Sequence, residues 1–149
     1  MQKCTLALGC FWKPEENFKN QPGIIETEVG YAGGKKPNTT YEEVCKGDSG
    51  HAEVVRLSFD EKIISYEKIL ELFFKIHDPT QKNMQFPDIG TQYRSEIFYE
   101  NELQKDLAFQ VKNELNKKFN GKIETNISKI KNYCKAEEYH QKYIMKRGL

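Results

Sequence analysis

The chain has 149 residues, of which 38% are hydrophobic, 30% charged and 12% aromatic, and its formal net charge is +1. The length suits one domain, 1–149, around a single core, and so small a net charge excludes a strong global field drawing the chain to nucleic acid or anionic lipid. No stretch is long and apolar enough to span a bilayer, and the first apolar run is too short for a secretory signal, so a cytoplasmic protein is expected, with no membrane and no nucleic-acid partner.

Thr5 to Leu8 is a short apolar run halted by Gly9 and reads as a buried strand. Pro14 suits a first helical turn, and Glu15 and Glu16 suit a helix N-terminus, so Cys10 falls at a strand-to-helix junction. Ile24 to Val29 is β-branched and partly alternating. It reads as a strand entering a turn at Gly30-Tyr31-Ala32-Gly33-Gly34. Thr40-Tyr41-Glu42-Glu43 has capping-box spacing and predicts a short helix ending near Gly47. Ala52 to Phe59 reads as a strand. Ser65 caps a helix with Ile69, Leu70, Leu72, Phe73 and Ile76 on one face, ended by Asp78-Pro79. Residues 79–94 carry no periodicity, and a loop of that length is more often functional than not. Ser95 to Tyr99 is a strand. Glu102 to Phe119 is a helix with Leu103, Leu107, Val111 and Leu115 on one face. Ile123 to Ile127 is a last strand, and Ala136 to Ile144 a terminal helix. Strands and helices mix without strict alternation. The fold class is therefore α+β, a mixed β-sheet with flanking helices.

Four cysteines, Cys4, Cys10, Cys45 and Cys134, form no C-x-x-C pair, and the three histidines stand at no ligand spacing from them. No metal site is expected. Cys10 is the best-placed nucleophile, because unpaired N–H groups at a helix start stabilise a thiolate. A small buried hydrophobe is the competing reading. Phe11 and Trp12 read as core, or as a socket for a methyl group beside the thiol. Glu53 opens an apolar strand; pointing inward, its pKa would rise and it would serve as a proton donor. Tyr41 and Tyr93 lie near turn signals and can hydrogen-bond an oxygen. Asp88 fits a turn between Pro87 and Gly90. A cysteine–histidine hydrolase and a non-enzymatic redox or binding module both stay open on these residues alone, though no motif sets a histidine beside Cys10.

The motifs together say more. Gly9-Cys10-Phe11-Trp12, Val29-Gly30-Tyr31-Ala32-Gly33-Gly34, Thr40-Tyr41-Glu42-Glu43-Val44-Cys45, Gly50-His51-Ala52-Glu53, His77-Asp78-Pro79-Thr80-Gln81, Gly90-Thr91-Gln92-Tyr93-Arg94-Ser95 and Ala136-Glu137-Glu138-Tyr139-His140-Gln141 resemble, in order, the motifs of the A-type peptide-methionine sulfoxide reductases. The resemblance covers nearly the whole chain, from Leu6 to Tyr143. It implies a split βαβ, ferredoxin-like arrangement and reduction of methionine-S-sulfoxide, free or in proteins. Cys10 would attack the sulfoxide sulfur and Glu53 protonate its oxygen. Tyr41 and Tyr93 would hydrogen-bond that oxygen, Phe11 and Trp12 would hold the ε-methyl, and Asp88 would support them through water. The product on the enzyme is a sulfenic acid, which a second thiol reduces. No cofactor is implied; the implied partner is thioredoxin or another thiol reductant, and a monomer is expected. Many relatives recycle through cysteines in a Gly-rich C-terminal tail. Here the sequence has no cysteine after Tyr143, so the candidate resolving thiol is Cys134, with an external thiol as the alternative.

Overall fold

A computed structural model describes residues 1–148. In chain order the elements are β1 (Gln2–Leu8), α1 (Trp12–Lys19), β2 (Ile24–Ala32), α2 (Tyr41–Cys45), β3 (Ala52–Phe59), α3 (Tyr66–Ile76), β4 (Met84–Gln85), β5 (Asp88–Ile89), β6 (Ser95–Tyr99), α4 (Glu102–Asn116), β7 (Asn126–Lys129), β8 (Cys134–Lys135) and α5 (Tyr143–Arg147), with single 3-10 turns at Thr91–Tyr93 and Glu138–His140. The main sheet runs β7-β6-β1-β3-β2-β8. β1 and β2 both pair antiparallel with β3, so they run parallel to each other with β3 between them. That is the split βαβ unit, and β6 beside β1 completes a ferredoxin-like order β6-β1-β3-β2. β7 joins β6 in parallel, and β8 joins β2 antiparallel, which makes the sheet mixed. The expected α+β class is the observed one.

Side-chain alternation explains the two faces. Leu6, Leu8, Val29, Tyr31, Val55 and Leu57 face the helices and pack with Phe18 of α1, Ile69, Leu70 and Phe73 of α3, and Ala108 and Val111 of α4. Ala7, Ala32, Ala52, Val54 and Phe98 face the other way, under Ile130 and Tyr133. The predicted caps form. Thr40 Oγ1 accepts from the Glu43 N–H at 3.3 Å, and Ser65 Oγ accepts from the Lys68 N–H at 3.1 Å. Among the described residues no helix is long and apolar enough to cross a membrane.

Several expectations are corrected. β2 does not turn at Gly30 but continues to Ala32, because both neighbours, β3 and β8, supply ladder bonds there. Gly30 lets the edge come close: a Cβ on it would lie 2.6 Å from the Cys134 carbonyl oxygen. The loop 79–94 holds a hairpin, β4–β5, whose two-residue strands are too short to show a period. Helix α4 stops at Asn116, and its buried positions are Gln104, Ala108 and Val111, while Leu103 is exposed. The Gln104 carboxamide turns that face inward, donating to the Lys3 carbonyl and accepting from the Glu100 N–H. The last long strand is β7, starting at Asn126 rather than Ile123.

The largest correction is at the C-terminus. Ala136 to Ile144 is not one helix; it is a 3-10 turn, then a break at Lys142 (φ 51), then α5. The segment serves the sheet edge instead. The Gln141 carboxamide accepts from the Val29 N–H and donates to the carbonyls of Val29 and Ala136, all at 2.9 Å. The Lys142 N–H then reaches the buried Glu15 carboxylate. A continuous helix would consume these backbone groups internally and could not present the carboxamide to β2. Replacing Gln141 with Ala leaves the Val29 N–H without its acceptor; urea unfolding should show a loss of about 1–3 kcal/mol, and an unchanged midpoint would remove this anchoring role.

Candidate active site

Sheet register gathers the candidate residues at one end. β1 ends at Leu8, opposite Ser95 at the start of β6, and β3 begins there too, with Glu53 opposite Tyr31 of β2. Gly9 (φ 94) turns the chain from β1 into α1, and a Cβ on it would meet the Gln85 side chain at 2.9 Å. The hairpin bearing Asp88 therefore rests on the residue before Cys10. The turn Thr91–Tyr93 brings Tyr93 to the same end, and α2 brings Tyr41.

Glu53 is only 1% exposed, and its Oε1 accepts the Phe11 N–H at 3.3 Å. Burial pushes its pKa up to about 8, the charge of Asp88 adds to the rise, and the Phe11 N–H opposes it. Its inward position and the direction of its shift favour the protonated acid, in line with the reading from its strand position. Cys10 is half-buried. Its pKa moves opposite to the expected lowering. Burial first and the charge of Glu53 second push it up to about 12, against one favourable N–H from Trp12, with Asp88 and Cys45 adding to the rise. Burial of the thiol is the main reason; in addition Phe11 is the N-cap of α1, so the thiol sits one residue outside the helix and meets one N–H rather than a full turn of them. With Glu53 protonated, the second-largest of these penalties vanishes.

Phe11 is fully buried, with its ring 5.7 Å from Tyr31 and 5.2 Å from His140. Trp12 is half-buried and stacks on Tyr143 at 3.8 Å between centroids. Burial raises the phenols of Tyr41 and Tyr93, the latter to about 12, and the charge of Glu53 acts on both in the same direction. Both stay protonated at neutral pH and can donate. Asp88 lies half-buried in β5 and acts on Glu53, Cys10 and Tyr93 through its charge.

Cys134 stands apart. It faces Tyr31 across the β2–β8 ladder, its Sγ 3.9 Å from the Thr39 carbonyl oxygen. Glu53 lies two strand spacings from it, about 9–10 Å. Cys45 ends α2, the helix that Tyr41 begins, and it adds to the rise of both the Tyr41 and the Cys10 pKa values. Cys4 is fully buried in β1. All four cysteines are free.

Among the described residues none of the three histidines hydrogen-bonds the Cys10 thiol. His77 bonds the Phe73 carbonyl and the Ser95 hydroxyl. His51 is buried against Gly34. His140 accepts the Trp12 indole N–H. This leaves the cysteine–histidine hydrolase without its base.

Sequence reasoning missed the residues that hold the site. Arg94 donates to Glu96, to the Thr91 carbonyl and to the Gly50 carbonyl, joining the Tyr93 turn to the loop before Glu53. Glu137 accepts the Tyr31 hydroxyl at 2.8 Å and the Tyr41 N–H at 3.0 Å. Both residues lay within quoted motifs, but only the fold shows what they touch.

Comparison with known proteins agrees with this geometry. Residues 2–148 match the family model described as peptide methionine sulfoxide reductase. The peptide methionine sulfoxide reductase MsrA of Pelagibacter ubique is 57% identical over 147 residues, covering 99% of this chain and 100% of that one. The crystal structure of Mxr1 from Saccharomyces cerevisiae in reduced form superposes with a TM-score of 0.94 at 41% identity, covering 99% of this chain and 86% of that one. Mxr1 in complex with Trx2 matches with a TM-score of 0.68 at 29% identity, covering 95% of this chain and 84% of that one.

The buried carboxyl has a thermodynamic signature. Its folded pKa lies above its unfolded value, so its contribution is fully present below about pH 4.5 and is lost as pH rises through about 8. Glu53→Gln removes that dependence. Between pH 5 and pH 8 the variant should gain roughly 3–5 kcal/mol on the wild type in denaturant unfolding; parallel stability curves would rule out a protonated Glu53.

Proposed function

The chain belongs to the peptide methionine sulfoxide reductase family, and from that premise we propose that it reduces the S epimer of methionine sulfoxide, free or in proteins, by direct attack of Cys10 on the sulfoxide sulfur. The observation that carries this reading is a carboxyl buried beside the thiol: Glu53 is 1% exposed and its Oε1 accepts the N–H of Phe11, the residue after Cys10, and burial shifts it toward the protonated form. One proton on Glu53 serves twice. It removes the charge that opposes the Cys10 thiolate, and it is the proton the departing oxygen needs.

The Cys10 thiolate forms an S–S bond with the sulfoxide sulfur while Glu53 protonates the oxygen. The oxygen then passes to the Cys10 sulfur as methionine leaves, and the thiol proton replaces the one Glu53 gave. Methionine sulfur is reduced by two electrons and Cys10 is oxidised to sulfenic acid. Tyr41 and Tyr93 donate to the sulfoxide oxygen and Asp88 acts through water. Phe11 forms the floor and Trp12 the wall of the apolar pocket for the ε-methyl. That Phe11 is buried and Trp12 half-exposed supports this division.

An external dithiol such as thioredoxin then removes the oxygen as water, either directly or after an internal thiol has formed a disulfide with Cys10. The complex of Mxr1 with Trx2 supports such a partner. For Cys134 to serve, β8 must leave the β2 edge, since a disulfide needs Cα atoms within about 7 Å; Cys45, whose charge acts on Cys10, is the other internal candidate. Mass spectrometry after one equivalent of sulfoxide, without reductant, tells a persistent sulfenic acid from a disulfide and names the partner.

Cys10→Ser should abolish release of methionine from the S-sulfoxide, and retained turnover would sink the nucleophile. Glu53→Gln should slow reduction by about 10²–10⁴, an unchanged rate removing its acid role. In the wild type, reduction should rise with pH up to about 8 and level off above it, because the further gain in Cys10 thiolate is then cancelled by loss of the Glu53 proton. The R epimer should be turned over far more slowly than the S epimer; equal rates would refute the selectivity.

A further inference from the structure

One imidazole occupies the centre of the aromatic groups just described. His140 is 1% exposed and sits in the turn Glu138–His140, far from Cys10 in sequence. Its ring lies 5.2 Å from Phe11, 5.7 Å from Trp12 and 4.5 Å from Tyr41, between centroids. It thus touches three side chains of the proposed site, and the Tyr139 ring closes its outer side at 4.2 Å.

The contact with Trp12 is directional. The indole Nε1–H donates to His140 Nδ1 at 3.1 Å. An indole can only donate, so Nδ1 must carry a lone pair. The neutral ring then bears its proton on Nε2, which is buried and has no hydrogen-bond partner among the described residues. That arrangement leaves one polar group unsatisfied in order to keep Nδ1 as an acceptor. The other face of the indole stacks on Tyr143, interplanar angle 9°, with the Arg147 guanidinium 4.8 Å beyond. Trp12 is therefore held by a hydrogen bond along one edge and a ring against one face.

We propose that His140 is a positioning residue for substrate binding: through Nδ1 it fixes the Trp12 indole as the wall of the methyl pocket, and through its ring it braces Tyr41. The proposal rests on the reading that Trp12 lines that pocket. His140 does not touch the reacting atoms. Its effect falls on ground-state and transition-state binding together, which raises KM more than it lowers kcat.

The arrangement also sets a pH dependence. Protonating Nδ1 replaces an acceptor by a donor facing another donor, and Trp12 is released. The groups facing His140 are Trp12 and Phe11 at α1, Tyr41 and Glu42 at α2, and Glu137 and Tyr139 in its own segment. Only the Glu42 and Glu137 carboxylates carry charge, and they favour the cation; burial opposes them and is the largest influence. The neutral ring therefore persists below the ordinary histidine range, and release of Trp12 belongs on the acid side of neutrality.

Trp12 is the only tryptophan, so its fluorescence reads this contact without reference to activity. His140→Phe keeps a ring and loses the acceptor; His140→Asn keeps an acceptor near Nδ1 and loses the ring. For His140→Phe, the emission maximum and near-ultraviolet circular dichroism of Trp12 should change. KM for methionine-S-sulfoxide should rise about five- to tenfold, with kcat lowered about twofold or less. His140→Asn should recover most of the KM and restore the indole emission maximum. Wild-type fluorescence should show an acid quenching transition, with a midpoint below 6.5, that both variants lack. In a Trp12→Phe background His140→Phe should add less than about twofold in KM, since the shared contact is already gone.

An unchanged Trp12 spectrum in His140→Phe, or equal KM effects with and without Trp12, would overturn the proposal. So would a variant that loses kcat and KM alike while its indole signal stays native, the pattern of a merely structural residue. If His140→Phe fails to fold by far-ultraviolet circular dichroism, the His140→Asn rescue and the wild-type acid transition decide. Failure of the underlying reading is a separate result: Trp12→Phe alone would leave KM unchanged while the His140-dependent fluorescence transition of the wild type persisted.

Discussion

The contact between the Phe11 N–H and the buried Glu53 carboxyl is where the two halves of the chemistry meet. It joins the end of β1 to the start of β3 and sets the acid beside the thiol. Everything around it follows from a carboxyl kept out of water. Ionised, Glu53 would penalise both itself and the Cys10 thiolate; protonated, it penalises neither. Burial here is less a means of stability than a way of storing one proton where a departing oxygen needs it.

A second constraint comes from the far end of the chain. The segment 136–142 runs along the open side of β2 and spends its polar groups there. Gln141 serves Val29, Glu137 serves Tyr31 and Tyr41, His140 serves Trp12, and the Lys142 N–H serves Glu15. Glu15 is buried and also accepts from Thr27, so α1 is fastened to β2. The reacting residues are thereby held between a sheet end and a polar strap.

Much of the fold was legible because its signals are local. The Thr40 and Ser65 caps, the alternation in Ala52–Phe59 and the apolar stripe of α3 are properties of short windows, and each appears where expected. The site residues were legible from motifs rather than from physics; without them, Cys10 and Glu53 stayed balanced against bland alternatives. What could not be read depends on partners distant in sequence. Gly30 looks like a turn until β8 lies against it. Gln104 looks like a solvated helix position until the Lys3 carbonyl needs a donor. The helix expected over 136–144 fails because Val29 competes for its groups. The direction of the Cys10 shift was missed because the junction argument counted N–H groups and left out first the burial of the thiol and then the carboxyls beside it.

The order of the chain gives that strap a further meaning. Translation proceeds from the N-terminus, so the sheet strands β1, β2, β3 and β6, and with them Cys10, Tyr41, Glu53, Asp88 and Tyr93, are all made before residue 100. The carboxylate, imidazole and carboxamide that brace them belong to Glu137, His140 and Gln141, made about forty residues later. A nascent or truncated chain stopping before Ala136 would carry every proposed reacting group and none of that support. Oxidant chemistry at a half-made thiol pocket is thus separated in time from the finished one by about forty residues of synthesis, roughly two to eight seconds at ordinary translation rates.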